Sequence, residues 1–174
     1  MAPHITEIIY KIKADKLLIG RTDFCLYPEA AQSIESIGGY LNIDFEKIVS
    51  LQPDLIFQFP NNENRRKLES LGFTVVDVPN ETLGEITASI NLIGKLLHQE
   101  KEASRILQNI TDTLQMVSDN LTIKMDSVSA ILVVGRDRGS LSNIYLAGKN
   151  SYLSELWQIC GGTNVFSGSL FHSS

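Results

Sequence analysis

The segment FEKIVSLQPDLIFQF, residues 45–59, constrains the fold more than any other part of the sequence. Asp44 is a good helix N-cap, and Glu46 adds a negative charge in the first turn, where the helix dipole favours it. Pro53 ends the helix because the residue before a proline is pushed out of the α region. The apolar run at 55–57 then follows directly, as expected of a strand in a parallel sheet covered on both faces. The segment therefore predicts one helix–strand unit of a wound α/β sheet.

The same alternation of helix and strand repeats on both sides of this unit. Apolar periodicity and turn residues predict helices at 5–13, 29–37, 61–71, 82–98 and 100–121, with strands at 16–20 and 73–78. Thr82 and Glu85 form a capping box, and Gly72 is a C′ residue. The helix at 100–121 is the longest predicted element, and its apolar residues follow helical spacing.

Strands return after the long helix. Residues 128–134 and 144–146 are predicted strands, and Ser151 caps a helix that runs to Cys160. The fold class predicted is α/β, with two wound lobes joined by a long helix and an incomplete second lobe. The expected limits are 1–98 for the first lobe, 99–124 for the bridging helix and 125–174 for the partial second lobe. We expect both ends to be truncated, because the first helix has no strand before it and the second unit cannot close its own sheet.

Composition excludes several functional classes. The net charge is -5 without a basic block, so nucleic acid is not an expected partner. No apolar stretch is long enough to span a bilayer, and no secretory signal stands at the front. Cys25 and Cys160 lie far apart and share no metal-type spacing with the histidines, so a metal site is not expected. Either both are free thiols or one pairs with a cysteine outside this chain. No phosphate-binding glycine motif and no nucleophile–histidine–acid arrangement supports catalysis.

Several segments in order resemble one family. PHITEII, GRTDFCLYPEA, IDFEKIVSLQPDLIF, LESLGFTVVDV, the long helix and GKNSYLSELWQICGGTNVF are similar to the substrate-binding proteins of ABC importers for cobalamin, haem or ferric siderophores. The most specific parts are E-x-I-x-x-L-x-P-D-L-I at 46–56 and L-W-x-I-C-G-G-x-N-V-F at 156–166. The resemblance implies two lobes on a rigid helix, an ABC permease as partner, a metal-chelate ligand and no cofactor.

The resemblance also implies features that this sequence lacks. Family members carry an export signal or a lipid-anchoring cysteine, begin with a strand before the PHITE position, and continue past GGTNVF. We therefore expect a periplasmic or extracellular, membrane-anchored protein in its full-length form. We also predict self-association of the truncated chain, because unpaired sheet edges and exposed apolar faces favour it.

Ligands of wound sheets bind at the loops beyond the carboxyl ends of the strands. Phe24, Tyr27 and Tyr40 offer flat apolar area for a large ringed ligand, although they could equally pack as loop anchors. Arg136 and Arg138 could bind an anionic group of a chelate, or lie solvated beside Asp137. The predicted ligand-binding residues are His4, Arg21, Phe24, Tyr27, Tyr40, Arg136 and Arg138.

Three further roles stay open at the level of sequence. His4 could contact ligand or haem iron, or cap the first helix. Glu63 resembles the acidic residue that family members present to the permease, or is a solvated first-turn glutamate. Trp157 lies among apolar residues at helical spacing and is expected in a core.

The alternatives to a transport protein are a Rossmann-like enzyme fragment acting on a nucleotide or tetrapyrrole, and a sensor or scaffold with the same lobes.

Overall fold

The structure is a computed structural model, and it describes residues 2–39, 42–121, 128–137, 139, 143–166 and 168. The helices are α1 (Pro3–Lys11), α2 (Phe45–Leu51), α3 (Asn62–Ser70), α4 (Leu83–Leu96), α5 (Glu100–Asp119) and α6 (Tyr152–Ile159). The strands are β1 (Ile56–Gln58), β2 (Val75–Asp77), β3 (Ser129–Ala130), β4 (Val133–Gly135), β5 (Tyr145–Leu146) and β6 (Thr163–Asn164). The predicted α/β class is confirmed.

The chain divides into two compact units. Unit 1 comprises Met1–Pro79 and Ala88–Ile106, and unit 2 comprises Asn80–Thr87 and Leu107–Ser174. The boundary between the units falls within α4 and again within α5, so each of these helices has residues in both units. The lobe and helix limits expected from the sequence stay predictions, and residues 122–124 of the expected bridging helix lie outside the described residues.

Unit 1 is built around a short parallel sheet. β1 pairs with β2 in a register that places Ile56 beside Val75 and Gln58 beside Asp77. The core between this sheet and its helices contains the buried side chains of Ile37, Ile48, Ile56, Leu68 and Val75. This packing explains the opening motif, because α2 supplies Ile48 and the strand that follows the proline supplies Ile56 to the same core.

Helix boundaries in unit 1 follow local hydrogen bonds. The Asp44 side chain accepts from the Lys47 amide at 3.0 Å, as predicted for an N-cap. Asn61 caps α3 in the same way, accepting from the Asn64 amide at 2.9 Å. Gly72 has a φ of 88°, which confirms its place just beyond the end of α3.

The described residues of unit 2 form two small sheets. β3 and β6 are parallel, whereas β4 and β5 are antiparallel. Ser151 caps α6 as predicted, although its hydroxyl lies 3.3 Å from the Ser154 amide. The capping box at the start of α4 is also confirmed, because Thr82 and Glu85 exchange amide-to-side-chain bonds of 3.0 and 3.3 Å.

Three predicted elements differ from the structure. Residues 16–20 are not a strand: Asp15–Leu17 is a 3₁₀ turn, and residues 18–20 continue without a β partner of their own. Residues 128–134 form parts of two strands, β3 and β4, rather than one, because each part pairs with a different neighbour. The helix expected at 29–37 is a 3₁₀ helix at Glu29–Ser33. Pairing between distant segments decides the first two cases, and the local sequence does not encode it.

Among the described residues, no helix has both the length and the apolar character that crossing a bilayer requires. Both cysteines are free thiols, with Cys25 buried and Cys160 half-buried. Cys25 lies 3.2 Å from the Thr22 hydroxyl, so the thiol has a polar partner inside the loop at 21–28.

Candidate functional site

The loop at residues 21–28 is held in place by hydrogen bonds to the segment at 32–38. The Arg21 amide donates to the Glu35 carbonyl at 3.0 Å, and the Asp23 amide donates to the Gly38 carbonyl at 3.0 Å. The Ile37 amide in turn donates to the Arg21 carbonyl at 2.8 Å. Since both sides of the contact are backbone groups, the loop keeps its shape independently of its exposed side chains.

This loop exposes three large apolar side chains in four positions. The exposed fractions of Phe24, Leu26 and Tyr27 are 67%, 59% and 61%. The ring of Phe24 lies over the backbone of Gly39, where a Cβ would approach it to 3.6 Å. Such a group of exposed apolar side chains on an anchored loop is typical of a ligand-contact surface. Tyr27 precedes a cis peptide bond to Pro28.

Arg21 binds backbone groups of its own loop and of the neighbouring segment at 32–38. Its guanidinium donates to the carbonyls of Thr22 and Gln32, at 3.0 and 3.1 Å. These bonds connect the start of the loop to the segment at 32–38. Lys47 of α2 braces the same region from outside, with bonds of 2.9 Å to Glu35 and 3.0 Å to the Ser36 carbonyl. The hydrogen bond to Glu35 raises the pKa of Lys47, so its ammonium stays charged.

His4 lies at the carboxyl ends of β1 and β2. Its Nε2 atom is 3.2 Å from the Val78 carbonyl, and its ring meets Phe59 edge-on at a centroid distance of 6.4 Å. Burial lowers the pKa of the imidazole, so the ring is neutral at pH 7 and donates its Nε2 proton to the carbonyl. The N-cap role considered for His4 is wrong, because Ala2 occupies that position and makes no side-chain cap.

The remaining predicted residues lie elsewhere. Arg136 follows β4 in unit 2 and is exposed, and Glu63 is exposed in the first turn of α3. Tyr40 and Arg138 lie outside the described residues. Trp157 is half-buried on α6, and its ring would meet a Cβ on Gly162 at 2.1 Å, so it packs against that backbone as expected of a core residue.

A polar cluster at the carboxyl ends of β1 and β2 was missed by sequence reasoning. Gln58 is 3% exposed and donates to Asp77 at 2.8 Å and to the Asn61 carbonyl at 3.1 Å. Arg65 of α3 contacts the same Asp77 carboxylate at 2.7 Å. A glutamine inside the apolar run LIFQF was the available signal, since a buried polar side chain requires partners. The cluster fixes the loop between β1 and α3.

The described residues contain no group of three or more His, Cys, Asp or Glu side chains that could hold a metal ion.

Comparison with known proteins identifies the family. The family model described as periplasmic binding protein matches residues 1–174. The chain belongs to the periplasmic binding protein family. This finding confirms the resemblance predicted from the ordered motifs of the sequence.

Relatives of this periplasmic binding protein include vitamin B12-binding proteins of Vibrio. That of Vibrio vulnificus is 32% identical over 97% of this chain, and that of Vibrio cholerae is 29% identical over the same share. A substrate-binding lipoprotein of an ABC transporter from Bacillus subtilis is 26% identical over 95% of the chain. The chain spans about 60% of the length of the Vibrio relatives and 54% of the Bacillus protein.

Solved structures support the same fold assignment. A periplasmic vitamin B12 binding protein of Vibrio cholerae is similar to the whole of this chain, with a TM-score of 0.83 and 25% identity, and 68% of that protein is covered. A periplasmic heme binding protein of Pseudomonas aeruginosa gives a TM-score of 0.84 at 17% identity, over 99% of this chain and 63% of that protein. This coverage agrees with the two-lobe class and the incomplete second lobe expected from the sequence.

Proposed function

We propose that this chain is the solute-binding component of an ABC importer and that its ligand is a large ringed metal chelate, with a corrinoid as the first candidate. The main support for this proposal is the group of exposed apolar side chains on a hydrogen-bonded loop of unit 1, namely Phe24, Leu26 and Tyr27. Flat apolar side chains match the broad faces of a macrocycle and supply binding energy through buried area. The names of the relatives at 29–32% identity favour cobalamin within this class.

Polar groups of the proposed set contribute orientation. Tyr27 presents a hydroxyl at the edge of an apolar ring, and His4 contacts Phe59 at the carboxyl ends of β1 and β2. Arg136 of unit 2 is also a proposed ligand-binding residue, as are Tyr40 and Arg138, which lie outside the described residues. Arg21 belongs to the same proposed set, and its two terminal nitrogens also bond the carbonyls of Thr22 and Gln32.

Delivery requires a membrane permease, and Glu63 is the proposed docking charge. Its carboxylate is exposed in the first turn of α3, where the helix dipole stabilises a negative charge. A charge at the rim of an interface acts mainly on orientation and association rate. Glu63→Gln should therefore slow association with the matching permease at low salt and have a smaller effect at high salt.

Calorimetric titration tests the ligand class. Cyanocobalamin, hemin and a ferric hydroxamate siderophore are titrated separately into the protein. ATP and NADH are titrated in the same way, to test for nucleotide binding. Saturable binding of cyanocobalamin or hemin supports the proposal, whereas binding of the siderophore alone would contradict the ringed ligand and retain the transport role. Saturable binding of a nucleotide alone would instead support the enzyme alternative.

Substitutions in the loop test the site itself. Phe24→Ala and Tyr27→Ala should each weaken binding of the chelate by about tenfold or more, because each removes aromatic contact area. Leu71→Ala is the matched control, since Leu71 is an apolar side chain of unit 1 that is 46% exposed and lies at the end of α3. Equal affinity in all three variants would place the ligand elsewhere.

A further inference from the structure

Asp23 places a carboxylate directly beside the exposed apolar side chains of the loop at 21–28. It precedes Phe24 in the sequence, and its side chain is exposed. Its amide donates to the Gly38 carbonyl at 3.0 Å, and its Oδ1 atom accepts a hydrogen bond from the Ser36 hydroxyl. These two bonds fix both the backbone and the carboxylate of Asp23 against the segment at 36–39. The orientation of the carboxylate is therefore set by the fold.

The second oxygen of this carboxylate, Oδ2, accepts no hydrogen bond from the described part of the chain. Lys47, whose charge lies near Asp23, forms its ion pair with Glu35 at 2.9 Å and also donates to the Ser36 carbonyl. Arg21 donates to two backbone carbonyls. Among the described residues, no cation forms an ion pair with Asp23. An exposed carboxylate oxygen in this state is able to accept from a donor on a ligand.

Gly39 brings the free oxygen and the ring of Phe24 to one place. A Cβ built on Gly39 would lie 3.6 Å from the Cε2 atom of Phe24 and 3.9 Å from Oδ2 of Asp23. One point beside the Gly39 backbone is therefore within 4 Å of both groups. A flat ligand that stacks on the Phe24 ring would reach this carboxylate with the substituents at its own edge.

Ringed metal chelates differ in the groups that they carry at this edge. A corrin ring carries carboxamides, which are neutral and offer N–H donors. Haem carries propionates, which are anionic at pH 7. A carboxylate accepts a charge-assisted hydrogen bond from an amide N–H but repels another carboxylate. A single aspartate at the contact therefore favours one class of macrocycle and disfavours the other.

We propose that Asp23 is a specificity-determining residue, whose Oδ2 atom accepts a hydrogen bond from a peripheral amide of a macrocycle stacked on Phe24. This inference rests on the proposed function and narrows the ligand to a ringed chelate with N–H donors at its edge. The two carboxylate oxygens have separate roles. Oδ1 binds Ser36 and holds the loop, whereas Oδ2 binds the ligand.

Asp23→Asn tests the role of the charge. The asparagine side chain keeps an acceptor for the Ser36 hydroxyl and removes the negative charge. Calorimetric titration should show cyanocobalamin bound about fivefold more weakly, because a charged acceptor becomes neutral. Hemin should bind about threefold more tightly, because the repulsion of its propionates is lost. These opposite signs distinguish specificity from support of the loop, since a distorted loop would weaken both ligands.

Glu29→Gln is the matched control for net charge. Glu29 is also an exposed carboxylate, in the first turn of the 3₁₀ helix that follows Pro28. It is not among the groups within 4 Å of the Cβ position on Gly39. Its substitution changes the net charge by the same amount and should alter the affinity for either ligand by less than about twofold.

A second test changes the ligand and leaves the protein intact. Partial hydrolysis of cyanocobalamin gives monocarboxylic derivatives, in each of which a carboxylate replaces one peripheral amide. At least one of these derivatives should bind the parent protein about tenfold more weakly than cyanocobalamin, through the lost hydrogen bond and the added repulsion. Asp23→Asn should remove most of this difference, since the two changes act on the same contact.

The outcomes separate this inference from the proposed function. A parent protein that binds hemin more tightly than cyanocobalamin would overturn the role of Asp23 and retain a ringed ligand. Equal shifts of both affinities in Asp23→Asn would do the same, as would equal binding of cyanocobalamin and all its monocarboxylic derivatives by the parent. Absence of binding of both macrocycles to the parent would overturn the proposed ligand class and this inference together.

Discussion

Gly94 of α4 faces Ala103 of α5 so closely that a Cβ on Gly94 would lie 2.4 Å from the Ala103 Cβ. Both residues are buried in unit 1. The Gln99 amide donates to the Gly94 carbonyl at 2.7 Å, so the turn between the helices closes on the same glycine. Helix α4 can therefore approach α5 this closely only because residue 94 is a glycine.

Gly94→Ala should lower the free energy of unfolding by about 1–3 kcal/mol, because the added methyl overpacks the contact with Ala103. Chemical denaturation monitored by circular dichroism measures this change. Gly84→Ala in the first turn of the same helix is the control, since its Cβ would meet nothing nearer than the Thr82 hydroxyl at 3.8 Å. That variant should be neutral or more stable by up to about 1 kcal/mol, reflecting helix propensity alone. Similar behaviour of the two variants would contradict the assigned contact.

Asp77 should matter far more for stability than Glu69, although both carboxylates contact Arg65. Asp77→Ala removes a partner of the buried Gln58 side chain as well as the ion pair, and should cost about 1–3 kcal/mol. Glu69→Ala breaks only an exposed i,i+4 pair and should cost about 0.3–0.5 kcal/mol. Urea denaturation of the two variants checks the difference. Equal losses would show that the Gln58 bond contributes nothing.

The local features of this fold could be predicted from the sequence, and the non-local ones could not. The N-caps Asp44, Thr82 and Ser151 are confirmed because each bond closes within three residues. The end of α2 was also predicted, although Gln52 leaves the helix into the left-handed region, with φ of 46°, rather than into extended backbone. The segment at 16–20 resembles a strand in composition, but its state depends on what lies beside it.

The same distinction applies to the candidate site. The exposure of Phe24 and Tyr27 agrees with the sequence interpretation of a loop that presents aromatic side chains. The cluster of Gln58, Arg65 and Asp77 forms only when β1 and β2 pair in parallel, since its members are up to 19 positions apart. The bonds of the Arg21 guanidinium to the carbonyls of Thr22 and Gln32 could not be predicted from residue type alone.

His4 should make the stability depend on pH in the acid range. Burial lowers the pKa of its imidazole in the folded state, so the unfolded chain binds its proton first as the pH falls. The contribution of the neutral ring is complete above the unfolded pKa of about 6.5 and is lost as the pH falls from there through the lowered folded value. His4→Gln should remove this part of the pH dependence, whereas His98→Gln should retain it. Denaturation curves between pH 4 and 8 measure the effect, and identical profiles for the parent and His4→Gln would contradict it.

Glu155 of α6 should stabilise the start of α4, which lies with it in unit 2. Its carboxylate accepts a 2.6 Å hydrogen bond from the Leu83 amide, one of the unpaired donors of the first helical turn. The Tyr152 amide donates to the Glu81 carbonyl at 2.7 Å, so two bonds join the same pair of segments. Glu155→Ala should cost about 1–2 kcal/mol, through the lost cap and the lost charge at the positive end of the helix dipole. Glu155→Gln keeps an acceptor and should lose less than half of that. Hydrogen exchange at the Leu83 amide should accelerate most in the alanine variant, and an unchanged rate there would show that Glu155 does not cap α4 in solution.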